Sequence, residues 1–270
     1  MENIKPGVVF IVEDKKMKIS KSLIAPLLIF SLALSLRLVS AVQYNKPLEG
    51  DEPEYNELAL SVINHGTYQS ESPYSRPPLY PFFISAVYLI FGCKFIAVRI
   101  AQAVIDSLMC ILMYKLCHAI FNRRIALIAS FTSAVYMVFI KASCRFLTEP
   151  LFTFFLFLTV FYVYKTKESF TYKNMIILGA LAAIGVLIKG ITLIFLPFLF
   201  IIFLAVGYYK PFSIKVIFQK MAVAFAAFFI LLSFWAYRNY LIYHAFVPVS
   251  TREDMLFMTP IFRGMAKFLE

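Results

Sequence analysis

The sequence predicts an all-α polytopic membrane protein, and three observations carry that prediction. Of its 270 residues, 61% are hydrophobic and only 15% charged. Soluble domains run about 45–50% apolar and about 25% charged. The apolar residues come in continuous runs, whereas a transmembrane β-barrel alternates them with polar ones. Bases outnumber acids 26 to 15, and the later ones cluster in short loops between apolar runs, as the positive-inside rule requires. A soluble enzyme, a disulfide-framed secreted domain and a disordered chain are excluded. The excess charge is an orientation signal, so no nucleic-acid partner is expected.

Residues 1–21 are a basic tail with Lys15, Lys16, Lys18 and Lys21, which places the N-terminus in the cytoplasm. The run 22–42 is the first span, since a bilayer core takes about 20 helical residues. It is long enough to remain as a helix rather than be cleaved as a leader. The loop after it carries Glu49, Asp51, Glu52, Glu54, Glu57 and Glu71, against one base, Lys46, before Arg76. This acidic loop belongs outside. Within it, Gly50-Asp51-Glu52-Pro53 reads as a helix start, with Asp51 placed to cap and Pro53 suited to a first turn. Leu58, Val62 and Ile63 recur at helical spacing, so this helix is amphipathic and lies on the membrane. Gly66 ends it.

The segment 77–92 is apolar but short, and contains Pro77, Pro78 and Pro81. Charge parity decides whether it crosses. If it does, the basic loops 115–124, 165–173 and 210–220 all fall outside; if it is interfacial or re-entrant, all three fall inside. The second agrees with the bias at every loop, so the first outer loop runs 43–94. The remaining spans are 95–118, 125–141, 149–164, 175–188, 192–206 and 221–237, about seven in all. The fifth and sixth meet at a tight outer turn, Lys189-Gly190. One transmembrane domain thus covers 22–251. The tail from Arg238 begins outside, and 252–270 reads as the start of a truncated outer loop.

Cys93, Cys110, Cys117 and Cys144 show no metal-type spacing and read as small apolar residues. No cofactor is required by the sequence. A divalent metal stays open, with His65 the only outer-loop histidine before the second span. Arg76, Lys141, Arg145, Lys189 and Arg238 fall at the outer boundary, with Arg37 and Arg99 deeper. They read either as an anion site, such as one for a lipid phosphate, or as side chains snorkelling to headgroups. Asp106 lies mid-span and is expected to pair with a Tyr or Arg inside the bundle. Glu149, in Thr148-Glu149-Pro150, is either part of a helix start or a carboxylate facing the same outer cavity as Asp51. At its cap position Asp51 also points to the bundle mouth, where a general base works.

These pieces occur in one order: Gly50-Asp51-Glu52-Pro53-Glu54-Tyr55, Arg76-Pro77-Pro78-Leu79-Tyr80-Pro81, Val98-Arg99, Thr148-Glu149-Pro150-Leu151-Phe152, Ile188-Lys189-Gly190, and Trp235-Ala236-Tyr237-Arg238-Asn239-Tyr240 followed by Phe246-Val247-Pro248-Val249-Ser250. The set resembles the glycosyltransferases of the GT-C fold, of family 39/83 type, over about 22–251. Within them it is most similar to the protein mannosyltransferase-like and lipid A aminoarabinose transferase group. The resemblance implies a polyprenyl-phosphate sugar as donor and a lipid, glycan or protein hydroxyl as acceptor. It implies inversion at the anomeric carbon and a plasma-membrane (inner-membrane) enzyme with an outer-face site. It implies Asp51 as the base with Glu149 as second acid. Arg76, Lys189, Glu52, Tyr55, Arg145 and Arg238 are then expected around the donor and its phosphate.

The sequence departs from that pattern in two ways. Family members commonly continue well beyond this length, so a truncated frame, a split enzyme completed by a second chain, or a minimal member are all consistent with it. Glu54 stands where the aminoarabinose branch has a base. Two competing classes remain: a non-catalytic subunit that binds a lipid-linked sugar, and a small-solute transporter with Arg37, Arg99 and Asp106 on its pathway.

Overall fold

In a computed structural model, residues 24–69, 76–166, 170–195, 213–244 and 246–250 are described, and every regular element among them is helical. The helices are α1 (Ile24–Gln43), α2 (Glu52–His65), α3 (Leu79–Phe91), α4 (Phe95–Ile120), α5 (Arg123–Val135), α6 (Met137–Ser143), α7 (Glu149–Thr166), α8 (Tyr172–Ile188) and α9 (Ile214–Tyr243), with a 3₁₀ turn at Gly190–Phe195. Helix α4 is the centre: it packs on α1, α5 and α7, while α8 packs on α7 and α9. Three helices, α1, α4 and α9, are long and apolar enough to cross a bilayer, and the bent pair α5–α6 makes a fourth. The first and second expected spans stand, the first over 24–43. The fourth and fifth expected spans coincide with helices α7 and the shorter α8, neither of which counts among the helices long and apolar enough to cross. Most of the sixth, beyond Phe195, lies outside the described residues, as do the 1–21 and 252–270 tails.

Two spans differ from expectation. The run 125–141 is not one helix: α5 and α6 meet at 51°, and Tyr136 between them is extended. No Pro or Gly causes this. The bend releases the carbonyls of Ser133 and Ala134, and Arg37 donates to both, Nη1 to Ala134 O at 2.9 Å and Nη2 to Ser133 O at 3.3 Å. The last span does not end at Tyr237, before Arg238. It runs on to Tyr243 and closes at His244 in the left-handed conformation, so Arg238 sits within the helix.

Local chemistry explains the helix starts. Asn122, Thr171 and Ser213 cap α5, α8 and α9 by accepting the backbone N–H three residues on, as short polar side chains do. Gly66 closes α2 at φ +65°. Helix α3, the Pro-rich segment, has 13 residues, about 20 Å at 1.5 Å each, too short to cross unaided. Gly179 lets α8 and α9 touch: a Cβ there would meet Ala224 O at 2.1 Å. Small residues at such contacts are how membrane helices pack closely.

The principal core places α2 and α3 over one end of the bundle. Tyr55, Ala59, Tyr80, Ile84 and Tyr88 pack on Val98 of α4, Leu151 of α7 and Ile188 of α8. The C-terminal end of α1, the N-terminal ends of α4 and α7 and the C-terminal end of α8 therefore share one mouth with the acidic loop.

Candidate active site

The first turn of α2 carries three acids, and the helix sends them two ways. Asp51 occupies the N-cap position, but its backbone is helical (φ −81°, ψ −13°) and its side chain makes no cap hydrogen bond. The capping reading is thus replaced: its carboxylate faces Arg76. Arg76 donates from Nη2 to Asp51 Oδ1 at 2.8 Å and from Nη1 to Oδ2 at 3.3 Å. Its Nε donates to Glu54 Oε2 at 2.7 Å. Glu54 follows Asp51 by three residues, so both stand on one helix face. The Arg76 side chain is 6% exposed and Asp51 45%. The guanidinium also lies 5.2 Å from the Tyr55 ring. Burial opposes the Arg76 charge, but the bonded carboxylates of Glu54 and Asp51 outweigh it and push its pKa upward. The result is an oriented carboxylate, both of its oxygens bonded to a fixed cation while 45% of the side chain stays accessible.

Glu52 lies about 100° round the helix and turns into the bundle. It is fully buried and takes a hydrogen bond from Arg145 Nε. That bond raises the Arg145 pKa. The backbone beside Arg145 is fixed in turn: Gln102 Nε2 donates to Ser143 O at 3.2 Å and to Arg145 O at 2.6 Å. Gln102 Oε1 accepts from Tyr80 Oη at 2.6 Å. Glu52 and Arg145 thereby tie α2 to the α6–α7 junction.

Glu149 begins α7, with Thr148 Oγ1 donating to its Oε2 at 3.4 Å. Lys189 at the end of α8 donates to its Oε1 at 3.0 Å. Both stay accessible, Lys189 at 31% and Glu149 at 44%. Arg238 is directed elsewhere: it donates to Tyr68 O at 2.6 Å and lies 4.8 Å from the Trp235 ring. Lys141 is exposed. The five boundary bases therefore do not form one open anion site. Four of them are engaged inside the chain: the first outer loop holds Arg76, Arg145 and Arg238, and Glu149 holds Lys189.

Arg99 was expected only as a deep charge, and its position is informative. It is 7% exposed and donates to Tyr44 O at 2.7 Å. It also lies 4.7 Å from the Tyr44 ring. Its Nε is buried with no hydrogen-bond partner. It makes no ion pair with a carboxylate among the described residues, unlike Arg37, Arg76, Arg145 and Lys189. A buried, uncompensated cation is costly unless an anion joins it. The sequence signal was an arginine one turn into a span at the acidic end.

Arg37 and Asp106 do not line a pathway. Arg37 Nε donates to Asp106 Oδ2 at 2.5 Å with the side chains 0% and 1% exposed, and its other nitrogens are spent on carbonyls of α1 and α5. No group of three or more His, Cys, Asp or Glu suited to a metal occurs among the described residues.

The all-helical bundle, with its acidic loop folded over one mouth, has a GT-C type fold. Residues 75–237 match the family model described as dolichyl-phosphate-mannose-protein mannosyltransferase, and the chain belongs to that family. The matched stretch holds Arg76, Arg99, Glu149 and Lys189, and begins after Asp51. Among solved structures, the chain is similar to the S. cerevisiae protein O-mannosyltransferase Pmt1-Pmt2 complex bound to the sugar donor. The TM-score is 0.65 at 19% identity, over 84% of this chain and 34% of that one. The chain thus spans about a third of that relative's length. Against curated proteins, the sequence finds no match.

Proposed function

We propose that the chain is a mannosyltransferase-like enzyme, or the catalytic part of one, using a polyprenyl-phosphate sugar and a hydroxyl acceptor on a lipid, glycan or protein. The observation that carries this is the half-exposed Asp51 carboxylate held by buried Arg76. A hydroxyl is a weak nucleophile, and a placed carboxylate takes its proton as attack proceeds. The acceptor oxygen bonds to the anomeric carbon as the carbon–oxygen bond to phosphate breaks. The phosphate leaves with that electron pair, the acceptor proton goes to Asp51, and one displacement inverts the centre.

Charge grows on the leaving phosphate, so a preplaced cation stabilises the transition state more than the ground state. Arg99 fits this task because no carboxylate among the described residues pairs with it. Arg76, with its fork on Asp51 and Glu54, orients the base first and meets the donor second. Tyr55 backs Arg76, and Lys189 with Glu149 borders the mouth where substrate enters. Arg145 and Glu52 hold the loop, and Arg238 anchors it from α9.

The same reading puts the mouth on the outer face of the plasma membrane, with the basic loops and N-terminus cytoplasmic. A second chain completing the enzyme fits the fraction of the longer relative that this chain spans. The direct test is mannose transfer from polyprenyl-phosphate mannose to a hydroxyl-bearing peptide or lipid in membranes containing the chain. Sidedness is tested by cysteine labelling in intact cells. Cysteines at Asn122 and Tyr172 should be shielded from outside; external labelling of either contradicts the topology.

A further inference from the structure

Arg76 must keep its place for Asp51 to be oriented, and the backbone there is poorly provided with partners. Pro77 and Pro78 give no N–H, and α3 starts only at Leu79. The carbonyl of Pro77 would ordinarily accept from the residue four on, but that residue is Pro81, which has no donor. One side chain fills the gap. Tyr68 Oη lies 3.1 Å from both Arg76 O and Pro77 O and donates to them.

Tyr68 is itself fixed by the end of α9. Its ring meets Trp235 edge-on at 4.9 Å and Phe82 at 5.5 Å. Its carbonyl accepts from Arg238 Nη2 at 2.6 Å. The same end of α9 holds the chain that follows: Trp235 Nε1 donates to Val249 O at 2.8 Å and Asn239 Nδ2 to Val247 O at 3.0 Å. Tyr68 is 8% exposed, so it touches this framework rather than substrate.

We propose that Tyr68 is a positioning residue for the Arg76–Asp51 pair, anchored by Trp235 and Arg238 of α9. The inference rests on the transferase reading, in which Asp51 is the base. Removing the hydroxyl leaves the ring packed but frees two carbonyls beside Arg76. The guanidinium fork then loosens, and with it the direction of the carboxylate.

The test is Tyr68→Phe in the full chain in membranes or detergent. Transfer from polyprenyl-phosphate mannose should show kcat down about 10- to 100-fold, the scale of a small misplacement at a reacting centre, with KM changed less than about twofold. The emission of Trp235, the chain's single tryptophan, should stay as in wild type, which reports that the aromatic cluster is intact. Hydrogen exchange in the peptide over 76–84 should quicken while that over 221–232, within α9, is unchanged. Wild-type kcat in the variant overturns the proposal, and so does unchanged exchange over 76–84. Wild-type chain that transfers nothing overturns the functional reading instead, and exchange alone then decides whether Tyr68 fixes Arg76.

Discussion

Arg37 with Asp106 and Arg76 with Asp51 are the same chemistry in two places. In the middle of the bundle both partners are sealed, at 0% and 1% exposure, and every guanidinium nitrogen is used. At the mouth the arginine is as buried as an interior residue, but its carboxylate is 45% exposed. The first arrangement can only join helices α1, α4 and α5. The second presents a charge of fixed direction to whatever enters. What separates a staple from a site is therefore the exposure of one partner, not the strength of the pair.

Breaking the staple should have the largest effect on stability. Arg37→Ala leaves Asp106 buried and unpaired, which costs about 3–5 kcal/mol. Thermal unfolding in detergent checks this. Replacing both partners, Arg37→Met with Asp106→Leu, should recover most of the loss. A single variant as stable as wild type would make the pair incidental.

Arg99 tests the mouth's second cation. Arg99→Ala should weaken binding of polyprenyl phosphate by about 1.5–3 kcal/mol, the range for a charge-assisted hydrogen bond. Its unfolding midpoint should hold or rise, since an uncompensated charge is removed. Unchanged affinity would move the phosphate elsewhere, with Arg76 next in line.

The packed middle and the open mouth also differ in tolerance. Gly179→Ala should cost about 1–3 kcal/mol by forcing α8 from α9, because the contact is backbone and cannot swing aside. Lys189→Ala should cost at most about 1 kcal/mol, as half-exposed ion pairs do. A large loss of transfer in that variant would then be chemical rather than structural.

The sequence made the long elements legible because composition and length decide them. Runs of apolar residues specified α1, α4 and α9, and parity of basic loops led to a non-crossing reading of the Pro-rich stretch, which is the short α3. Gly66 and the amphipathic stripe through Leu58 marked α2. The bend at Tyr136 was not legible, since its cause is an arginine 99 positions earlier in the chain. Asp51 looked like a cap because local spacing cannot show that Arg76 competes for the carboxylate. That Arg145 turns to Glu52 and Arg238 to the Tyr68 carbonyl was not legible either, because sequence gives the face of the membrane but not which acid or carbonyl shares it. Tyr68 gave no signal at all: its role depends on the donor missing from Pro81 and on α9 arriving from the far end of the chain.

The central claim is that the exposed carboxylate at the mouth does chemistry while its paired arginine aims it. Asp51→Asn is nearly the same shape and removes only the basic oxygen. Mannose transfer and polyprenyl-phosphate binding should be measured side by side in wild type and variant. Transfer should fall by about 10²–10⁴, the usual contribution of a general base, with donor affinity and unfolding midpoint little changed. Full transfer by the variant, where wild type is active, would contradict the account and reduce Asp51 to a partner that keeps Arg76 in place.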